Sequence, residues 1–276
     1  MTEPLTPVEK GRRFRALHEG DGAFLLPNPW DVGTARLLVY LGFEALATTS
    51  AGYAFSMGRR DYAVGREAMI AHVAALAAAT DLPLNADLEN GFGDEPETAA
   101  ETIRMAAEAG AAGGSIEDAT GRADEPIYNK EWATERIRAA AEAVRGLAVP
   151  FMLTARCENY LNGRPDLSDT IGRLQAYQEA GADVLYAPGL SRREDIAAVA
   201  GSVDRPVNVL MGIKGAGLDQ AALSALGVKR ISVGSGLARA SLSAFLRGAR
   251  EMQEHGTFGF TEEAMSYKEI CAMFPE

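Results

Sequence analysis

Short apolar runs alternate along nearly the whole chain with longer segments in which apolar residues recur every three or four positions. Runs of that length bounded by Gly or Pro are strand signals, and the longer period is that of an amphipathic helix. Strands are predicted over residues 23–26, 45–49, 84–88, 114–117, 151–155, 184–187, 207–210 and 230–233. Helices are predicted over 32–41, 66–79, 97–109, 130–145, 168–180, 193–200, 219–226 and 236–253. Eight strands alternating with helices describe parallel βαβ units. Gly42, Gly110, Gly181 and Gly227 each close a helical stretch, where a left-handed residue stops the helix. Pro83, Pro150 and Pro206 stand at strand entries, where a missing N–H is tolerated. No Gly/Ser-rich linker divides the chain, so the expectation is one α/β domain over 1–276, a closed (β/α)8 TIM-type barrel. An open doubly wound sheet is the other architecture with this alternation. A last helix, 262–274, lies in a C-terminal extension (257–276) and has no strand to cover. It is expected to cap the barrel or to dock on a neighbouring subunit.

Composition narrows the class. The 276 residues, 47% hydrophobic, are enough to form a core without disulfides or a structural metal. The two cysteines, Cys157 and Cys271, fit neither a zinc-ligand spacing nor a disulfide framework, which points to a reducing, cytoplasmic setting. The polar first ten residues lack the apolar core of a signal peptide, and no membrane-length apolar run occurs, so a soluble protein is expected. Lys and Arg number 27 against 38 Asp and Glu, a net charge of −11 that disfavours nucleic acid and anionic membrane as partners. A small anionic substrate remains compatible, because a metal ion and a few arginines reverse the field locally.

In a barrel of this kind reactive groups stand at the C-terminal ends of the strands. The second strand leads into Thr49, Ser50, Ala51 and Gly52, small residues whose amides can approach a carboxylate or phosphoryl group, although an ordinary βα turn reads the same way. The third ends Asp87-Leu88-Glu89, whose acids share a side if the strand continues, and the fourth ends with Glu117. Three acids at neighbouring strand ends repel one another unless a hard cation intervenes, and oxygen-only ligands suit Mg²⁺, with Mn²⁺ as the alternative. His18, His72 and His255 fall on helices or near the chain ends and do not compete for that role. Arg156, on the fifth strand, shares the barrel face with Thr154 and can grip a carboxylate or pair with one of the acids. Cys157 points the other way and reads as a buried inert thiol. Asn208 and Arg239 are further residues that can reach a ligand, or simply pack.

Taken together, these residues resemble the isocitrate lyase/phosphoenolpyruvate mutase superfamily. The similarity runs in order through Thr49-Ser50-Ala51-Gly52, Gly58-Arg59-Arg60-Asp61, Asp87-Leu88-Glu89-Asn90-Gly91-Phe92-Gly93, Ser115-Ile116-Glu117-Asp118 and Ala155-Arg156-Cys157-Glu158. It implies Mg²⁺ held directly by Asp87, with Glu89 and Glu117 acting through waters and Asp61 beside the metal shell. It further implies a substrate carboxylate gripped by residues 49–52 and Arg156, and a pyruvate-enolate-like intermediate. Glu117, Arg156 and Asp61 are then the catalytic candidates, and a small 2-oxo or 2-hydroxy (di)carboxylic acid is the substrate class, cleaved at a C–C bond. A homodimer or homotetramer is implied as well, with the C-terminal helix on a neighbour's barrel. Two departures stand out. Glu89 replaces an Asp, and the segment 118–129 carries neither the lyase cysteine nor the mutase Lys-Thr-Asn pattern. A phosphonate P–C mutase or hydrolase and a non-catalytic keto-acid binder are therefore the competing readings. The same segment reads as a lid, with Arg122 available to an anionic substrate, and Tyr53, Tyr128 and Glu117 are the candidates for proton transfer.

Overall fold

The computed structural model describes residues 4–212 and 217–274; residues 1–3, 213–216 and 275–276, including the end of the C-terminal extension, lie outside it. Eight parallel strands form the inner layer: β1 (Phe24–Leu26), β2 (Leu46–Ala47), β3 (Leu84–Asp87), β4 (Gly113–Glu117), β5 (Met152–Arg156), β6 (Val184–Tyr186), β7 (Val207–Leu210) and β8 (Arg230–Ser232). Their order is β1-β8-β7-β6-β5-β4-β3-β2, every neighbour parallel. The remaining seam is bridged by the Ala47 amide, which donates to the Pro27 carbonyl at 3.0 Å. The (β/α)8 barrel expected from the periodicity is what forms.

The helices follow in step: α1 (Pro7–Glu19), α2 (Val32–Tyr40), α3 (Ser50–Ser56), α4 (Arg66–Ala79), α5 (Pro96–Glu108), α6 (Lys130–Arg145), α7 (Leu167–Ala180), α8 (Arg193–Gly201), α9 (Gln220–Ala225), α10 (Gly236–His255) and α11 (Tyr267–Ala272). Gly42, Gly110, Gly181 and Gly227 all have positive φ, between 82° and 112°, as helix stops require. Two elements differ from the sequence reading. The polar N-terminus forms α1, started by Pro7 and a reciprocal Thr6–Glu9 capping box. The segment after β2, expected to be a turn, is the helix α3, with Thr49 as its cap. Both lack a long amphipathic period, and cap chemistry carries them instead.

The core has two parts. Side chains between strands and outer helices form the larger one, which includes Leu76, Leu84, Ile103, Ile116, Leu153 and Tyr177. A smaller cluster fills the bottom of the barrel: Phe14, Phe24, Leu26, Ala45, Ala47, Ala112, Met152 and Val184. α1 closes that end. Phe14 and His18 reach in and meet edge to face at 4.8 Å. A Cβ on Gly11 would lie 2.2 Å from the Pro150 carbonyl oxygen, so only glycine lets α1 approach the entry to β5. No described helix is long and apolar enough to cross a membrane. The last helix is shorter than expected, and it follows a 3-10 turn at Gly259–Thr261. α10 and this extension leave Leu242, Phe245, Leu246, Phe258, Phe260 and Tyr267 exposed.

Candidate active site

At the open end, Arg156 closes β5 and gathers carboxylates from three directions. Its Nη1 lies 2.9 Å from Asp87 Oδ1 and 3.1 Å from Glu117 Oε2, and its Nη2 lies 2.7 Å from Glu158 Oε1. Strand register makes this possible, since Glu117 and Arg156 are Cα partners on β4 and β5, and Asp87 pairs with Ser115 one inward position below. Burial works against the Arg156 charge, but Glu117, Glu158 and Asp87 outweigh it and hold its pKa well above the usual range. Glu117 and Glu158 are themselves buried, and burial raises both carboxyls. Glu117 also accepts a hydrogen bond from the Tyr62 hydroxyl.

α3 supplies the opposite wall. The Ser50 amide donates to Asp87 Oδ2 at 2.9 Å, and the Ser50 hydroxyl meets Asp61 Oδ1 at 3.2 Å. The Gly52 amide is engaged by the Thr49 side chain, so of the first three amides of this helix Ala51's is the one left for a ligand. This corrects the expectation that residues 49–52 all face a substrate. Thr49, Ser50 and Ala51 line the cavity, whereas Gly52 packs inward, where a Cβ would stand 2.6 Å from Thr49 Cγ2.

Glu89 reaches its place by another route than the one predicted. β3 ends at Asp87, and Glu89 has φ 49°, so strand alternation does not carry to it. A left-handed glutamate is a strained choice that the surrounding loop enforces. Burial, then Asp87 and Asp61, push its pKa up to about 8. Asp61, at the mouth, is raised by burial of its carboxyl and by Asp87. Asp61, Asp87 and Arg156 line one cavity, while Glu89 lines the adjoining one beside Tyr62, Gly121 and Arg122.

The segment 118–129 is more closely tied than a free lid. Ala119 and Ile127 form an antiparallel bridge, and the Tyr128 amide donates to the Asp118 carbonyl. Arg122 places Nη1 2.8 Å from both oxygens of Asp94 instead of reaching into the cavity. Tyr128 donates to Asp94 and meets the Asn90 side chain, and Tyr53 is stacked on His72 at 3.8 Å. Neither tyrosine lines the cavity; of the three groups considered for proton transfer only Glu117 adjoins Arg156. Arg239 is likewise not among the cavity residues, being exposed on α10. Cys157 is buried as expected, and burial, then Asp118, pushes its thiol pKa well up.

The cavity has a volume of about 160 Å³ and descends from Asp61, Asp87 and Arg156 to Asn208 and Arg230. Glu158, Tyr62, Tyr186 and Arg230 are site residues that the sequence reading did not assign. Glu158 had a signal, an acid two positions from Arg156. Tyr62, displaced by its own φ of 61°, had none.

The donor set suits a hard cation, being oxygen only and buried, and among the described residues Arg156 is the cation that lowers Glu89. Among the described residues no three carboxylates gather as a complete ligand cage. Asp87, Glu89 and Glu117 are the oxygen donors that could hold such a cation.

Known proteins resemble this chain over most of its length. The family described as phosphoenolpyruvate phosphomutase matches residues 14–253. A provisionally named lyase/mutase of Burkholderia cenocepacia J2315 superposes with a TM-score of 0.94 at 62% identity, covering 96% of this chain and 95% of that one. An oxaloacetate decarboxylase of Paraburkholderia xenovorans is 28% identical, over 96% of this chain and 89% of its own. An oxaloacetate acetylhydrolase bound to its product oxalate superposes with a TM-score of 0.85 at 25% identity, over 96% and 93%.

Proposed function

Because the chain belongs to the phosphoenolpyruvate phosphomutase family, within the isocitrate lyase/phosphoenolpyruvate mutase superfamily, we propose that it is a Mg²⁺-dependent enzyme cleaving a C–C bond in a small 2-oxo or 2-hydroxy carboxylic acid. The observation that carries this reading is the pairing of Asp87 and Glu117 with Arg156 at the mouth of the cavity, with Asp61 lining the same cavity and Glu89 the adjoining one. Asp87, Glu89 and Glu117 would hold the cation, which would supply positive charge where an α-oxygen becomes negative. The protein's own groups do the rest. Arg156 is fixed by Glu158 through Nε and Nη2, so its Nη1 is set against Asp87 and Glu117 before anything binds. The Ala51 amide, next to the Ser50 amide that donates to Asp87, is left to hold a carboxylate. Tyr62 keeps its proton, its pKa raised by burial and by Glu117, and shares it with Glu117 Oε1. That pair is the proton store nearest the reacting centre.

Calorimetric titration with oxalate, a stable mimic of a pyruvate enolate, tests the proposal. Binding is expected only with Mg²⁺ present, and Asp87→Ala is expected to abolish it. Oxalate binding that survives chelation, or survives Asp87→Ala, overturns the reading. Turnover on a panel of 2-oxo and 2-hydroxy acids then separates an enzyme from a keto-acid binding protein.

A further inference from the structure

Below Arg156 the barrel interior holds a second guanidinium that the chemistry above does not use. Arg230 opens β8, is 2% exposed and faces the barrel axis. Its Nε donates to Asn208 Oδ1 at 2.9 Å and its Nη2 to Thr154 Oγ1 at 2.9 Å. Its Nη1 lies 3.5 Å from His18 Nε2. The His18 Nδ1 is 2.8 Å from the Phe14 carbonyl, which can only accept, so Nδ1 carries the proton and Nε2 is the acceptor. Burial, then Arg230, keep His18 neutral, with a pKa near 3. All three partners of Arg230 are therefore uncharged.

Among the described residues no salt bridge reaches Arg230, whereas Arg156 and Arg173 are each paired with carboxylates. Burial lowers its pKa to about 9, which still leaves it charged at neutral pH. A buried cation without a counter-charge is costly, and an apolar side chain could fill the same space at less expense in free energy. Such a charge is understandable if a ligand brings the anion. Arg230 lines the 160 Å³ cavity together with Asn85, Asn208 and Ser232. Asn85, 3% exposed, has no partner for its side-chain oxygen, so the floor also has a place for a hydroxyl or water that accompanies a polar ligand.

The depth can be read from the strands. Arg230 touches Thr154, the inward-facing residue one step below Arg156 on β5. Two residues of strand correspond to about 6.6 Å. A four-carbon diacid reaches across that step and a two-carbon one does not.

We propose that the cavity floor is a second anion subsite, where Arg230 receives the distal carboxylate of a substrate whose 2-oxo or 2-hydroxy acid head lies at Asp87 and Arg156. The inference rests on the head-site reading proposed above and narrows the substrate to a short dicarboxylate.

The test compares malate with lactate, which share a 2-hydroxy acid head and differ in the distal carboxylate, by calorimetry with Mg²⁺ present. The wild-type protein is expected to bind malate at least about tenfold more tightly, the effect of one charge-assisted contact. In Arg230→Met the malate-to-lactate ratio is expected to fall to near one, and Arg230→Lys to restore part of it. Equal affinities in the wild type, or a preference that survives Arg230→Met, overturn the subsite. The wild-type comparison decides the matter even if the variants do not fold. Oxalate in the same buffer reports the head site separately. Oxalate failing while malate still outbinds lactate refutes the head-site reading and leaves the subsite standing.

Discussion

Arg156 is the residue through which charge is balanced at the barrel mouth, and its neighbours show how placement sets ionisation. Glu158 holds the guanidinium from behind, Glu117 and Asp87 flank it, and Glu89 stands outside this arrangement, its carboxyl raised to about 8 by burial. The two interior histidines show the same physics with opposite charge. Burial lowers His18 to about 3 and His72 to about 4, from an ordinary value of 6.5. Below pH 6.5 the unfolded chain takes up these protons while the folded protein does not, so folding weakens as pH falls toward the folded values. The buried carboxyls raised by their surroundings act in the opposite sense, so the histidine contribution is read as a difference: between pH 6.5 and 4 the wild-type thermal midpoint is expected to lose more than that of His72→Phe. Equal losses in the two proteins would contradict the neutral burial of His72.

Among the elements, α1 has an importance that its polar sequence conceals. It is the plug of the barrel, with Phe14 fully buried among Phe24, His18 and Gly113. Phe14→Ala is expected to cost about 3–5 kcal/mol, as large core deletions do, and urea unfolding would measure it. Because His18 also approaches Arg230, a disturbed α1 is expected to loosen the cavity floor as well. The turn-like residues after β2 likewise form an element, α3. Its short first turn brings the Ser50 amide onto Asp87 and thereby joins the ends of β2 and β3.

For the whole molecule, the longest run of exposed apolar side chains lies on α10 and the segment after it. Phe245 is 70% exposed and Tyr267 86%, with Leu242, Leu246, Phe258 and Phe260 nearby in sequence. A patch of this kind is unusual for a monomer, and we propose that it packs on a second copy of the chain. Light scattering after size exclusion is expected to show a dimer or tetramer, and Phe245→Asp is expected to shift it toward monomer. A monodisperse wild-type monomer at micromolar concentration would refute the association.

The sequence by itself determined the alternation of strands and helices, the glycine helix stops and the similarity that marks Asp87, Glu117 and Arg156. These are local properties: side-chain period, backbone preference and motif spacing act within a few residues of each other. Tertiary structure decided which groups meet. Arg156 reads in the sequence as a grip for a carboxylate or a partner for one acid, and strand register sets it against Asp87 and Glu117 together. Arg122, free in sequence, turns to Asp94, and Arg239 faces outward from α10. Glu89 leaves the strand pattern through a left-handed backbone that no alternation rule anticipates. Arg230 reads as an ordinary strand-entry residue until closure of the barrel brings β5, β7 and β8 around it. Contacts of this kind depend on the stagger of strands far apart in the chain, and stagger is fixed only when the whole sheet closes.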